Sequence, residues 1–395
     1  MSTQPDSLAP SRPFGLSLPD YPWDAMAPYK AIAARHADGP VDLSLGTPVD
    51  STPDVVREAL IRSANAPGYP GAHGTASLRE VIAQWFARRR GVENLDPQSI
   101  MPTVGSKELI AWLPFMLGLG PLDVIVRPKI AYPTYDIGAK LCGATSVACD
   151  SLDELDPALL RRVRLVWINS PGNPTGQVRD AESMKTMVAQ AREIGAVVAS
   201  DECYAELGWD SWDMDSGGRR VPCVLDSDVS DGSNQGLLSL YSLSKRSNLA
   251  GYRAAFVAGD DKIMASLLNT RKHAGMIVPS PIMAAMEAAL NDEEHVRIQK
   301  AAYRRRREIL LPALQDFGLK VEHSEAGLYL WATAGQDTWH TVQLLADLGI
   351  IVGPGSFYGQ AGEGYVRFSI TGSDERVDAA AKRLSAAELP GRNRS

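Results

Sequence analysis

The sequence predicts an α/β fold, a mostly parallel central sheet covered by helices, with a smaller second region towards the C-terminus. Three observations point there. Short β-branched runs alternate with helical patterns from about residue 100 to 260, as a parallel sheet covered by helices requires. Near Asn291 the pattern changes to a long charged helix, which leads into strands around 328–331 and 365–370. The chain also has 395 residues, 45% of them hydrophobic and 22% charged, enough for two domains and a large buried core.

The elements are legible in chain order from local pattern. Residues 109–122 form the longest uncharged apolar stretch and contain Pro114. At about 14 residues the stretch falls short of the roughly 20 that span a bilayer, so no membrane span is expected. Runs at 122–126, 165–168, 196–199 and 237–243 are the clearest strands. Between the middle two, Met184, Met187, Val188, Ala191 and Ile194 recur at helical spacing and make one apolar face, with Gly195 closing the helix. The segment 210–235, rich in Asp, Ser and Gly, lacks periodicity and reads as a long, partly mobile surface excursion. The run Arg304, Arg305, Arg306, Arg307 reads as a solvated helix face.

Forty basic against forty-seven acidic residues give a formal net charge of −7. That balance argues against a general nucleic-acid binder and leaves a small molecule as the expected partner. The N-terminal stretch, with neither an apolar signal core nor a basic amphipathic pattern, reads as a polar lead-in. Cys142, Cys149, Cys203 and Cys223 have no metal-ligand spacing. They read as reduced thiols of a cytoplasmic protein, Cys203 as a buried packing thiol, and no metal is expected.

In open parallel sheets, ligands collect beyond the carboxyl ends of the strands, and three polar segments follow the expected strands. The first is Asn169-Ser170-Pro171-Gly172-Asn173-Pro174-Thr175-Gly176, the second Ser200-Asp201-Glu202-Cys203-Tyr204, and the third Ser242-Leu243-Ser244-Lys245. Lys245 is an amine beside hydroxyls, with Arg253 eight positions on (253 − 245 = 8). Such a set suits an aldehyde cofactor that carries a phosphate. Each residue alone has a plainer reading: a surface lysine, a helix cap for Asp201, a loop serine for Ser242. The ordered set carries the weight.

That ordered set resembles the class I aminotransferases, within the fold-type-I pyridoxal-phosphate enzymes, and the likeness covers nearly the whole chain. The resemblance implies an N-terminal arm and part of the small domain over 1–44, a large cofactor-binding domain over 45–290, and a C-terminal small α+β domain over 291–395. It implies pyridoxal 5′-phosphate held by Lys245 as a Schiff base, with Asp201 at the ring nitrogen and Asn173 and Tyr204 donating to the phenolic oxygen. Lys245 would then act as general base on the substrate. Gly105, Ser106 and Lys107 match the family's phosphate turn, which runs through Thr103, Gly105 and Glu108 into a helix; Ser242 and Arg253 would add a hydroxyl and a forked cation. Tyr132 stands where the family stacks an aromatic ring on the cofactor, although a one-residue offset leaves Tyr135 open. Tyr69 matches a tyrosine that reaches the neighbouring subunit's phosphate, which implies a homodimer with shared active sites. Arg367 and Gly46 match the residues beside the substrate α-carboxylate, with Asn173 close to both.

Further segments, among them Tyr21-Pro22-Trp23-Asp24, Leu45-Gly46-Thr47-Pro48 and Lys272-His273-Ala274-Gly275, look like the actinobacterial type of N-succinyldiaminopimelate aminotransferase. That likeness implies exchange between glutamate/2-oxoglutarate and N-succinyl-2-amino-6-oxoheptanedioate/N-succinyl-LL-2,6-diaminopimelate, in lysine and diaminopimelate biosynthesis. Distal carboxylates would call for extra cations at the entrance. Lys129, Arg271 and Lys272 are candidates, though each also reads as a surface residue. An aspartate or aromatic aminotransferase or a carbon–sulfur lyase would use the same cofactor residues. Ser242-Leu243-Ser244-Lys245 also satisfies S-x-x-K, the acyl-enzyme signature, but its S-D-N and K-T-G partners are missing. A non-catalytic sensor on this fold would normally bring a DNA-binding domain, for which the N-terminal residues leave no room.

Overall fold

Strands that are apolar on both faces make a sheet that must be buried between two layers of helix. In the computed structural model, which describes residues 15–389, a short β1 (Val41–Asp42) precedes a sheet of seven strands, apolar on both faces except at the half-exposed edge strand Thr145–Ala148. They are β2 (Ile100–Val104), β3 (Val124–Arg127), β4 (Thr145–Ala148), β5 (Val163–Asn169), β6 (Val197–Asp201), β7 (Leu237–Ser242) and β8 (Ala254–Gly259). Their order is β2-β8-β7-β6-β5-β3-β4, and β8 runs antiparallel to both its neighbours while the rest are parallel. On β5, Leu165 and Trp167 pack into one apolar cluster while Val166 and Ile168 pack into the cluster on the opposite face. β7 divides in the same way, Leu238 and Leu240 against Leu237 and Tyr241. The expected strand at 122–126 begins two residues later, because Leu122 is exposed and sits outside the sheet.

The helix Ala181–Glu193 forms as its pattern requires. Asp180 accepts the Ser183 N–H at its start, Met184, Met187, Val188 and Ala191 are buried, and Gly195 follows in the left-handed region. Among the described residues, no helix is long and apolar enough to cross a membrane. The first fourteen residues of the polar lead-in lie outside the described residues.

A second, antiparallel sheet is ordered β12-β13-β10-β9, from β9 (Lys320–Glu322), β10 (Tyr329–Thr333), β12 (Gly353–Pro354) and β13 (Tyr365–Ser369). Between them in sequence, β11 (Ile350–Ile351) pairs in parallel with β1, so an N-terminal segment is stitched to the C-terminal part. Met26, Ala33 and Leu43 share one apolar cluster with Leu330, Phe368 and Leu384.

Two surface expectations are overturned. Segment 210–235 is not a loose excursion: Trp212, Asp213, Val221, Val224, Leu225 and Val229 are buried, and a short helix forms at Ser227–Ser230. Arg90 holds it from inside by donating to the carbonyls of Val221 and Pro222, each at 2.9 Å. The arginine run is likewise not a solvated face. Arg306, on the helix Glu294–Phe317, is buried between Asp50 and Asp374, and Arg304 pairs with the buried Asp213. Helical spacing locates a face but not the carboxylates that other segments bring to it.

Burial pushes the Asp213 carboxyl up, but hydrogen bonds from Lys300, Ser216 and Arg304 outweigh it and bring it down to about 2. A carboxylate depressed in the folded state stabilises above its ordinary titration range, and that contribution is lost as pH falls through the folded value. Asp213→Asn should therefore lower the urea midpoint at pH 7 and flatten the loss of stability between about pH 4 and pH 2. Identical acid profiles for variant and parent would contradict the arrangement.

Candidate active site

The carboxyl ends of β5, β6 and β7 open on a cavity of about 970 Å³. Sheet register sets Asn169 opposite Asp201 and Asp201 opposite Leu240, which aligns the three strand ends. Asn169 then shapes the turn that follows it. Its amide donates to the carbonyls of Asp201 (3.1 Å) and Pro171 (3.2 Å), and its oxygen accepts the Asn173 N–H at 2.8 Å. Asn173 is thereby carried to the cavity wall.

Asp201 is buried at the cavity floor and forms no ion pair among the described residues. It accepts hydrogen bonds from the Tyr135 hydroxyl (2.8 Å) and the Cys203 N–H (3.2 Å). Burial raises its pKa, opposed by those two partners. A buried carboxylate in this state calls for a cationic or protonated partner from the cavity side. Tyr135 is fixed by stacking on Trp167, 4.9 Å between ring centres. Of the two tyrosines, Tyr135 is bound to Asp201 and does not line the cavity, whereas Tyr132 does.

Lys245 lies in the short helix Leu243–Arg246, which Ser242 caps by accepting the Ser244 N–H at 3.2 Å. Its ammonium donates to the Gly46 carbonyl, and its own carbonyl accepts the Tyr303 hydroxyl at 3.2 Å. Across the cavity, Arg367 on β13 donates to Asn173 Oδ1 (2.9 Å) and to the Ser44 carbonyl (2.6 Å). It is buried, and its Nε has no partner among the described residues. Its guanidinium lies 3.9 Å from the centre of the Tyr329 ring, and the Tyr329 and Tyr204 hydroxyls are 3.2 Å apart, so that either can donate. Burial drives the Tyr204 phenol well above its ordinary pKa.

At the other end, Gly105 caps the helix Ser106–Met116 without a side chain and has φ +78. A Cβ there would lie 2.2 Å from Arg253 Nη2, so only glycine lets the arginine close over the helix start. Ser106, Lys107, Ser242, Ser244 and Arg253 all line the cavity at this end, where first-turn N–H groups attract an anion. Glu108 faces away, bound to buried Arg271 at 2.8 Å.

Of the expected site residues, Gly46, Ser106, Lys107, Tyr132, Asn173, Asp201, Tyr204, Ser242, Lys245, Arg253 and Arg367 share this one cavity, and Gly105 abuts it through Arg253. Tyr69 does not: its side chain is fully exposed. Nor do the candidate entrance cations. Lys129 pairs with Glu154 at 2.6 Å, Arg271 is buried, and Lys272 is exposed elsewhere. Besides Lys107, Lys245, Arg253 and Arg367, the cations that face the cavity are Arg127 and Lys140, with Asp136 between them. Arg127 ends β3 and could have been found by the strand-end rule that found Asp201. Cys203 is buried, as expected of a packing thiol, yet touches the cavity. Tyr21, Trp23, Ser244, Tyr329 and Tyr358 also line it without having been singled out.

This donor set fits pyridoxal phosphate. A buried carboxylate lacks a cation, an anion cradle excludes a Cβ, an amine faces the gap between them, and an arginine nitrogen is left orphaned. No cluster of metal-binding side chains occurs among the described residues.

The comparisons agree with that chemistry. The family model described as aminotransferase class I and II matches residues 38–384. The 4-dedimethylamino-4-oxo-anhydrotetracycline transaminase OxyQ of Streptomyces rimosus is 53% identical over 93% of this chain and 99% of its own length. An LL-diaminopimelate aminotransferase of Dehalococcoides mccartyi is 30% identical over 90% of this chain and 94% of its own. Among solved structures, an aminotransferase from Neisseria meningitidis Z2491 superposes with a TM-score of 0.84 at 30% identity, covering 94% of this chain and 98% of that one.

Gly46 is sterically fixed by this geometry, because a Cβ would meet the Tyr329 hydroxyl at 1.9 Å. Gly46→Ala should cost about 1–3 kcal/mol of stability by overpacking, read as a lower denaturant midpoint. An unchanged midpoint would show that the two residues do not touch.

Proposed function

The chain belongs to the class I and II aminotransferases, a pyridoxal-phosphate-dependent family, and from that premise we propose that it moves an amino group between glutamate/2-oxoglutarate and N-succinyl-2-amino-6-oxoheptanedioate/N-succinyl-LL-2,6-diaminopimelate. The observation that carries this reading is the single cavity at the strand ends, where Lys245, Asp201 and Arg367 meet. The narrow substrate is supported by the cavity wall, where Arg127 and Lys140 flank Asp136 beyond Arg367 and the phosphate end and offer cations to a distal carboxylate.

In this reading Asp201 holds the ring nitrogen protonated through a charge-assisted hydrogen bond. Asn173 and Tyr204 donate to the phenolic oxygen, and Tyr132 stacks on the ring face. Gly105, Ser106 and Lys107, with Ser242 and Arg253, hold the phosphate. When bound, the cofactor supplies an aldehyde for the amino group and a sink for electrons. Lys245 Nζ would take the proton from the substrate α-carbon as general base and give it back as general acid on the cofactor side of the transferred nitrogen, a short transfer by a single base. Arg367 forks onto the α-carboxylate with its free Nε edge, steadied by Asn173, and the carboxylate lies beside the Gly46 backbone. The large and small domains (45–290, and 291–395 with 1–44) would bring these groups together from two sides. Tyr69, exposed on one chain, would reach the phosphate of a second, making a homodimer with shared sites.

A second reading is favoured by the 53% identity to a tetracycline-pathway transaminase. The aromatic residues Tyr21, Trp23 and Phe357 along the cavity suit a polycyclic ketone.

A coupled assay of purified protein with 2-oxoglutarate as acceptor separates these readings. N-succinyl-LL-2,6-diaminopimelate should exceed aspartate and aromatic amino acids by about tenfold or more in kcat/KM, about 1.4 kcal/mol of discrimination. Near-equal rates, or a preference for an amino-anhydrotetracycline, would remove the narrow assignment. Lys245→Ala should lose the absorbance of lysine-bound cofactor and lower turnover by about 10²–10⁴ or more; retained turnover would overturn the role of the lysine.

A further inference from the structure

At the substrate end of the cavity, Tyr329 touches Arg367, Tyr204 and Gly46. It lies on β10, directly beside β13, where its register partner is Ser369 and Arg367 sits two residues away. Its ring supports the Arg367 guanidinium at 3.9 Å, closer than Tyr358 at 5.1 Å or Trp23 at 5.8 Å. Its hydroxyl meets Tyr204 at 3.2 Å and presses on Gly46, whose carbonyl accepts from Lys245. The two tyrosine rings meet edge-on, 5.7 Å apart. Gly46 therefore has to be glycine because of Tyr329, not because of its own backbone conformation.

We propose that Tyr329 is a positioning residue that couples the two halves of the site: its ring fixes Arg367 for the substrate carboxylate, and its hydroxyl donates to Tyr204. A tyrosine that accepts a hydrogen bond at its oxygen is a stronger donor through its own proton. Tyr204 is thereby left with its proton directed into the cavity, towards the phenolic oxygen of the cofactor. The direction of donation follows from the cation beside Tyr329: the Arg367 guanidinium, 3.9 Å from its ring, makes this phenol the better donor of the two. Burial pushes the Tyr329 phenol up, but Arg367 and Lys245 outweigh it and hold it below its ordinary value, while burial drives Tyr204 up. The more acidic phenol donates to the less acidic one. The groups that face Tyr329 are Tyr204, Lys245 and Arg367, with Tyr132, Tyr303 and Tyr358 farther round.

The inference rests on the cofactor assignment, and its test distinguishes the two. In the holoenzyme, the absorbance of lysine-bound cofactor is titrated with pH, and 2-oxoglutarate binding to that form is measured by the same absorbance. Tyr329→Phe, which keeps the ring, should raise the titration midpoint by about half a unit and leave the 2-oxoglutarate dissociation constant within about twofold. Tyr329→Leu should raise the midpoint equally and weaken 2-oxoglutarate about tenfold, because the arginine loses its ring. Combined with Tyr204→Phe, Tyr329→Phe should add nothing to the midpoint shift, as a coupled pair requires. A Tyr329→Phe midpoint equal to the parent's, or additive shifts in the double variant, would overturn the coupling. A parent protein with no such absorbance would overturn the cofactor assignment itself.

Discussion

The buried carboxylate of Asp201 is the constraint on which the site depends. A charge without a protein counter-ion at the end of a central strand is costly to keep, and burial already raises its pKa. The structure meets that cost only in part, with the Tyr135 hydroxyl and the Cys203 N–H. A cationic ring nitrogen would supply the rest. The stacking of Tyr135 on Trp167, the bonds of Asn169 to Asp201 and to the Asn173 turn, and the aligned register of β5, β6 and β7 all hold that carboxylate in place or build outward from it. The sheet's apolar faces matter to function chiefly because they make this strand end rigid.

Around that point the cavity is divided by chemistry. One end, built on glycine, serines and Arg253 at a helix start, presents donors that suit an anion. The other end is a packed cluster in which the Tyr329 ring, Asn173 and the Ser44 carbonyl hold the Arg367 guanidinium, with Tyr204 and Gly46 packed against Tyr329. Lys245 lies between the two, tied to Gly46 through its ammonium. Segments far apart in sequence are joined there: Gly46 comes from the N-terminal part, Lys245 follows β7, and Arg367 and Tyr329 come from the C-terminal sheet.

Most of the cofactor end was legible in the sequence, because strands buried on both faces read as continuous apolar runs and the polar residues after them stand out. Asp201, Asn173 and Lys245 were visible for that reason. Tyr329 was not, since it sits in Leu328-Tyr329-Leu330-Trp331, which reads as core, and its partner Tyr204 is 125 positions away. Arg306 was misread because its helix spacing says nothing of Asp50 and Asp374. Segment 210–235 was misread because irregular backbone carries no period even when Trp212, Val221 and Val224 are packed under it.

The most direct test of the central claim is the ¹⁵N chemical shift of ring-labelled pyridoxal phosphate bound to the protein, with and without Asp201→Asn. The account predicts a protonated ring nitrogen in the parent holoenzyme at neutral pH and an unprotonated one in the variant. An unprotonated nitrogen in the parent, or a shift unchanged by the substitution, would contradict it.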